Sequence, residues 1–120
     1  EVKYHLRHSG NWLIRLGDGT KESNKKAQEA LDFLWQYTGE LFEMDEIDNE
    51  MLKLNIGVDN AKLRIKWDEI INNTLKKAKL NRPKEGYMAT GSRKGIHTEY
   101  LGFLLAEMQF LPRAYPDAKW

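Results

Sequence analysis

Apolar residues recur along this chain at helical spacing, and nowhere do they alternate as a half-buried strand requires. Val2, Leu6, Leu13 and Leu16 predict a helix over residues 1–16. Gly17, Asp18 and Gly19 interrupt it, and Thr20 is placed to cap the next one. That second helix, about residues 21–38, carries Ala27, Leu31, Leu34 and Trp35 on one stripe, with Gly39 as its stop. Residues 40–58 are acidic and mixed; Leu52, Leu54 and Ile56 fit a short helix or an extended packing segment. Asp59 caps a third strong helix whose apolar face is Leu63, Trp67, Ile70, Ile71, Leu75 and Ala78. A loop rich in Gly, Pro, Lys and Arg follows from Asn81 to Gly95. A last helix over about 97–111 lines up Leu101, Leu104, Leu105, Met108 and Leu111, and Pro112 and Pro116 end it. There is no internal repeat and no low-complexity tract. The fold class is all-α.

Composition narrows this picture. The 120 residues suffice for one helical domain with a modest core. With 41% hydrophobic and 31% charged residues, the chain reads as globular. Nineteen Lys and Arg against 18 Asp and Glu give no basic field for nucleic acid. The absence of cysteine removes disulfides, thiolate metal sites and thiol nucleophiles together. No apolar run approaches the roughly 18 residues of a membrane span, and no signal peptide is visible, so a cytoplasmic protein is expected. The chain starts at Glu1, without an initiator methionine and already in a helical pattern. It reads as a fragment of a longer protein, with stripes left for absent helices, a second copy or partner chains.

The first helix also carries candidate chemistry. Glu1, His5, His8, Trp12 and Arg15 fall in a strip about 80° wide, beside the apolar stripe. A strip in that place is expected to point partly into a bundle, where charge must be paired or bound. Glu and His are ordinary iron or zinc ligands. Di-iron bundles, however, use Glu-x-x-His. Position i+3 from Glu1 is Tyr4, and no glutamate in the chain is followed by histidine at that spacing. The favoured reading is a strip of structural hydrogen bonds, with Glu1 or a partner's carboxylate pairing Arg15 and with Glu1 and His5 as a degenerate metal position.

Two further stretches stand out. Thr90 to Gly95, "TGSRKG", is a glycine-bracketed basic loop in which Arg93 and Lys94 are candidates for an anion. The phosphate-loop pattern is unmet, and a connector or docking loop is the plainer reading. In the last helix, Tyr100, Phe103, Glu107 and Phe110 make a second face beside the leucines. A helix apolar on two sides is sandwiched or kept for a partner, with His97 near its start as an interface group. His97 and Glu99 sit at i and i+2 and do not face each other. No nucleophile elbow occurs, so nothing builds an acyl-transfer site.

The stretches "EVKYHLRHSGNWLIRLGDGT", "LWQYTGELFEMDEID" and "GSRKGIHTEYLGFLLAEMQFLPRAYPDAKW" resemble the C-terminal half of the C-subunit family of bacterial 1,2-phenylacetyl-CoA epoxidases. The resemblance spans the chain and is loosest over Asn49 to Lys84. It implies a ferritin-like helical bundle, of which this chain would form the later helices plus a C-terminal helical extension. It also implies a structural subunit with a degenerate metal site, no cofactor of its own, and a paralogous catalytic subunit that holds the di-iron centre. The complex would epoxidise the ring of phenylacetyl-CoA with oxygen and electrons from NADPH. The family pattern has a histidine near the place of Asn24, and this sequence departs from it. The alternatives are a ferritin-like oxidase with its own di-iron site and an acyl-CoA or anion-binding helical module using Arg93 and Lys94. Self-association through the uncovered stripes is a further expectation.

Overall fold

The computed structural model describes residues 1–119. Among them the chain is all-α, in the order α1 (Val2–Gly17), α2 (Lys21–Leu34), α3 (Glu46–Lys53), α4 (Asn60–Lys77) and α5 (Tyr100–Ala114), with three short 3-10 turns between. This order fits the ferritin-like helical bundle that the resemblance implies. The residues fall into two compact units, Glu1–Ala89 and a second from Thr90 onward.

Local chemistry sets the helix ends. The Thr20 hydroxyl accepts the amide of Ser23 at 3.1 Å, and Asp59 accepts that of Lys62 at 3.2 Å, so both expected caps form. Helix α3 opens on a full capping box: Asp45 accepts the Asp48 amide at 2.9 Å and Asp48 accepts the Asp45 amide at 3.0 Å. It gives the acidic segment a helix, where the sequence left helix or extended chain open. Helices α3 and α4 end alike. Asn55 and Lys79 take left-handed φ values of 58° and 55°. The following amides, Ile56 and Leu80, reach back to Met51 and Leu75 at 3.0 Å each. These are Schellman closures made without glycine.

The core of the first unit lies where α1, α2 and the C-terminal half of α4 meet. Leu75, Ala78 and Leu80 are buried there, with Leu13, Ile14, Ala27, Leu31 and Ile71 packed around them. Gly17 makes the approach possible. A Cβ at that position would lie 2.3 Å from the Ala78 carbonyl oxygen and 2.9 Å from the Ala78 Cβ. On the α4 stripe burial is deepest at the C-terminal end: Leu63 and Ile70 are exposed, Trp67 and Ile71 half-buried, and Leu75 is only 3% exposed.

Three boundaries differ from expectation. Helix α2 stops at Leu34 rather than residue 38, because the Thr38 hydroxyl donates to the Trp35 carbonyl at 2.8 Å and tightens the chain into 3-10 turns. Gly39 therefore lies inside a 3-10 turn and is not the stop; Met88 packs where its Cβ would be. The last helix starts at Tyr100, not 97, and continues through Pro112 to Ala114. Proline in the last turn forfeits one amide bond, and the Tyr115 amide still closes on Leu111 at 2.9 Å.

Candidate functional site

The polar strip forms on α1 as a ladder along one side of the helix. The Glu1 carboxylate lies 3.8 Å from His5 Nε2. The Tyr4 ring stacks on His8 at 5.7 Å, His8 meets the edge of Trp12 at 6.5 Å, and the Arg15 guanidinium lies over Trp12 at 5.6 Å. Each step spans three or four residues, the spacing that makes helical neighbours. Arg15 thus rests on an indole, and Glu1, one of the two expected sources of a carboxylate for it, contacts His5 instead. Tyr4, noted only as the residue standing where a ligand pair would want His, belongs to the ladder.

The strip does not point inward in this unit. Glu1, His5, His8, Trp12 and Arg15 are exposed, because α1 packs through Gly10, Leu13, Ile14 and Gly17 on its far side. Around the helix that packing face lies roughly 170° from the strip. The strip is exposed, and ring and cation contacts run along it.

Helix α5 presents the second surface. Tyr100 and Phe103 are each 69% exposed, and Phe110 is 65% exposed. Leu104, Leu105, Met108 and Leu111 are exposed as well. His97 precedes the helix, in non-helical backbone, so it does not share the face. Arg93 and Lys94 sit in the 3-10 turn Ser92–Lys94 between Gly91 and Gly95, whose φ values are 102° and 82°. The Ile96 amide returns to the Gly91 carbonyl at 3.0 Å, closing this loop on itself before α5 begins.

Sequence reasoning missed two junctions. Asn24 Nδ2 donates to the carbonyls of Gly17 at 2.6 Å and Lys79 at 3.2 Å, tying α2 to the ends of α1 and α4. At the other, Trp35, Trp67 and Phe42 meet at ring separations of 5.8 and 5.3 Å. Arg82 lies over both indoles, at 5.0 Å from Trp35 and 5.9 Å from Trp67. Its guanidinium also binds Asp68 at 2.6 Å and Asn72 at 2.8 Å. A recess of about 130 Å³ adjoins this cluster, bounded also by Gly39, Arg64, Glu85 and Met88. The trace of it in sequence is faint: Asp68 and Asn72 stand at i and i+4 beside Trp67, with Arg82 beyond the helix end.

As for metal, Glu1 and His5 provide two donors on one exposed helical turn. A dinuclear iron centre in a bundle draws carboxylates and histidines from four helices. These two residues do not amount to such a site, and among the described residues no three His, Asp or Glu side chains cluster to hold an ion. No described helix is long and apolar enough to cross a membrane.

Two surfaces are exposed among the described residues, one on α1 that carries rings and charged groups and one on α5 that is aromatic and aliphatic. Comparison with known proteins agrees with the resemblance in the sequence. Over 120 residues the chain is 47% identical to the C subunit of the 1,2-phenylacetyl-CoA epoxidase of Escherichia coli (strain K12). The match covers all of this chain and 48% of that relative, so the chain spans about half the length of the curated protein it matches. The phenylacetic acid catabolic protein family matches over residues 1–120, and the chain belongs to that family.

Proposed function

We propose that this protein acts in aerobic phenylacetate catabolism as a non-catalytic, structural subunit of a phenylacetyl-CoA ring-epoxidising monooxygenase. In that role it supports a separate catalytic subunit that holds the di-iron centre. The observation that carries the proposal is the 47% identity, over the whole chain, to a protein named as the C subunit of that epoxidase. Two features support it. The chain lacks a Glu-x-x-His pair, and the nearest approach to one is the exposed Glu1–His5 contact. The α5 face leaves three aromatic rings uncovered, the kind of patch that marks a contact between chains. In this reading the protein has no cofactor of its own, resides in the cytoplasm, and acts through contact.

The test is reconstitution. The full-length protein, purified and analysed for iron, is expected to hold far less than one iron per chain. The catalytic subunit alone is expected to turn over phenylacetyl-CoA poorly and to recover when this protein is added. About two irons per chain, or full activity without this protein, would overturn the proposal. Phe103→Ser with Phe110→Ser tests the contact: binding of the catalytic subunit should weaken by about tenfold or more, since aromatic anchors dominate such interfaces.

A further inference from the structure

The segment 81–89 has no helix or strand of its own, yet it lies along α2, α4 and the 3-10 turns of the first unit. Its attachments gather at its two ends. At Asn81, the Gln28 side chain mimics a backbone partner: it donates to the Asn81 carbonyl at 3.0 Å and accepts the Asn81 amide at 2.8 Å. Next to it, Arg82 combines its bonds to Asp68 and Asn72 with its stacking on Trp35 and Trp67. At the far end the Ala89 amide donates to the Gln36 carbonyl at 2.9 Å, and Met88 packs against Gly39. The middle is held by one exposed ion pair, Arg64 to Glu85 at 3.0 Å, and Tyr87 there is 80% exposed. Beneath this weak middle lies the 130 Å³ recess with its aromatic floor.

We infer that residues 81–89 are a strap that closes over the Trp35–Trp67 recess, latched by Arg82, and that it opens as a unit while the helices stay folded. The physical reason is the distribution of contacts. No residue of 81–89 belongs to the Leu75–Ala78–Leu80 cluster or packs around it, so releasing the strap exposes the aromatic corner without emptying that core. Polar and stacking contacts hold it, and a single side chain, Arg82, supplies half of those named. Local opening of this kind belongs to segments with few buried apolar contacts. The inference stands independently of the proposed function.

Arg82→Lys tests it. The variant keeps the charge but loses the planar fork that reaches Asp68 and Asn72 together and the flat face that stacks on indole. Asp68→Asn attacks the same latch from α4. In the full-length protein each variant should raise the rate of trypsin cleavage at Lys84–Glu85 by on the order of tenfold, as expected for losing a charge-assisted bond in a segment that opens before it is cut. The bond from residue 82 to Pro83 resists trypsin in all three proteins, so the substitution neither adds nor removes a site. Amide exchange separates opening from unfolding. Asn81 and Ala89 should lose protection together, while Leu75 and Ala78 at the end of α4 keep theirs. Unchanged cleavage in both variants would overturn the latch. Loss of protection spread equally through α4 would overturn the strap as an independent unit.

Discussion

Helices α1 and α5 are close in length and both carry an apolar stripe; Val2, Leu6 and Leu16 of the α1 stripe are exposed too, and the two helices differ in the residues beside the stripe. Helix α1 touches the core at its C-terminal half, where Leu13, Ile14 and Gly17 close on α4. In helix α5, Phe103, Leu104, Met108, Phe110 and Leu111 are all at least half exposed. Periodicity alone therefore does not say which stripe becomes core. What distinguishes them is the company each helix keeps. Helix α1 has a glycine where a neighbouring backbone must come close, and Asn24 bonds across its end. Helix α5 has an open glycine, Gly102, with nothing within 4 Å of where a Cβ would stand.

The largest effect expected from this contrast comes from truncating one side chain in each place. Leu75→Ala empties the closely packed cluster of the first unit and should cost about 2–5 kcal/mol in denaturant unfolding. Phe103→Ala removes a bigger side chain from an exposed helix and should stay within about 0.5 kcal/mol in the isolated protein. Equal losses would show that α5 is buried in solution, and the contrast would collapse.

Adding a methyl group sharpens it further, because the expected signs are opposite. Gly17→Ala forces its Cβ against the Ala78 backbone and should destabilise by about 1–3 kcal/mol. Gly102→Ala meets nothing and improves helix propensity, so it should stabilise α5 by about 0.5–1 kcal/mol. Thermal melts of the two variants against the parent decide the point. A stabilising Gly17→Ala would mean that α1 and α4 do not approach as closely as described.

A smaller loss is expected at Asn24. Asn24→Ala leaves the Gly17 and Lys79 carbonyls without their side-chain donor, at a cost of about 1–2 kcal/mol. Because the site is partly open, water replaces some of what is lost. A neutral result in urea titration would show that water serves these carbonyls as well as Asn24 does.

Asn24 also shows how far the sequence could be read. Its residue type announced only a missing histidine; its role depends on two carbonyls, one of them 55 residues away. Thr20 and Asp59, by contrast, were legible as caps because a cap acts on amides three residues on. The same locality made α1 and α4 readable and blurred the end of α2, where Trp35 turns into a corner completed by Trp67 and Arg82. The ladder on α1 was legible as a strip from helical geometry. Its exposure was not, because which face of a helix is covered depends on partners distant in sequence. Arg82 sat in a stretch that read as plain loop, since nothing local tells an arginine that stacks on two indoles from one that is solvated.

The smallest effect concerns the two helix starts. Asp59 accepts the Lys62 amide at 3.2 Å, and the Lys62 ammonium lies 3.2 Å from its other oxygen. These bonds, the backbone amide first, hold the Asp59 carboxyl below its ordinary value of 3.8. A carboxylate with a depressed folded value adds stability that is complete above its unfolded pKa, and loses it as pH falls through the folded one. The start of α4 should therefore weaken in acid below about pH 4. Helix α5 follows Glu99, whose side chain makes no cap bond. Asp59→Asn keeps a cap acceptor but cannot titrate. Followed by amide exchange from about pH 5 down to about pH 2, Lys62 protection should fall in the parent protein relative to the Asn variant. Parallel curves for the two proteins would mean that the Asp59 charge contributes nothing to the cap, and that α4 begins where it does for packing reasons alone.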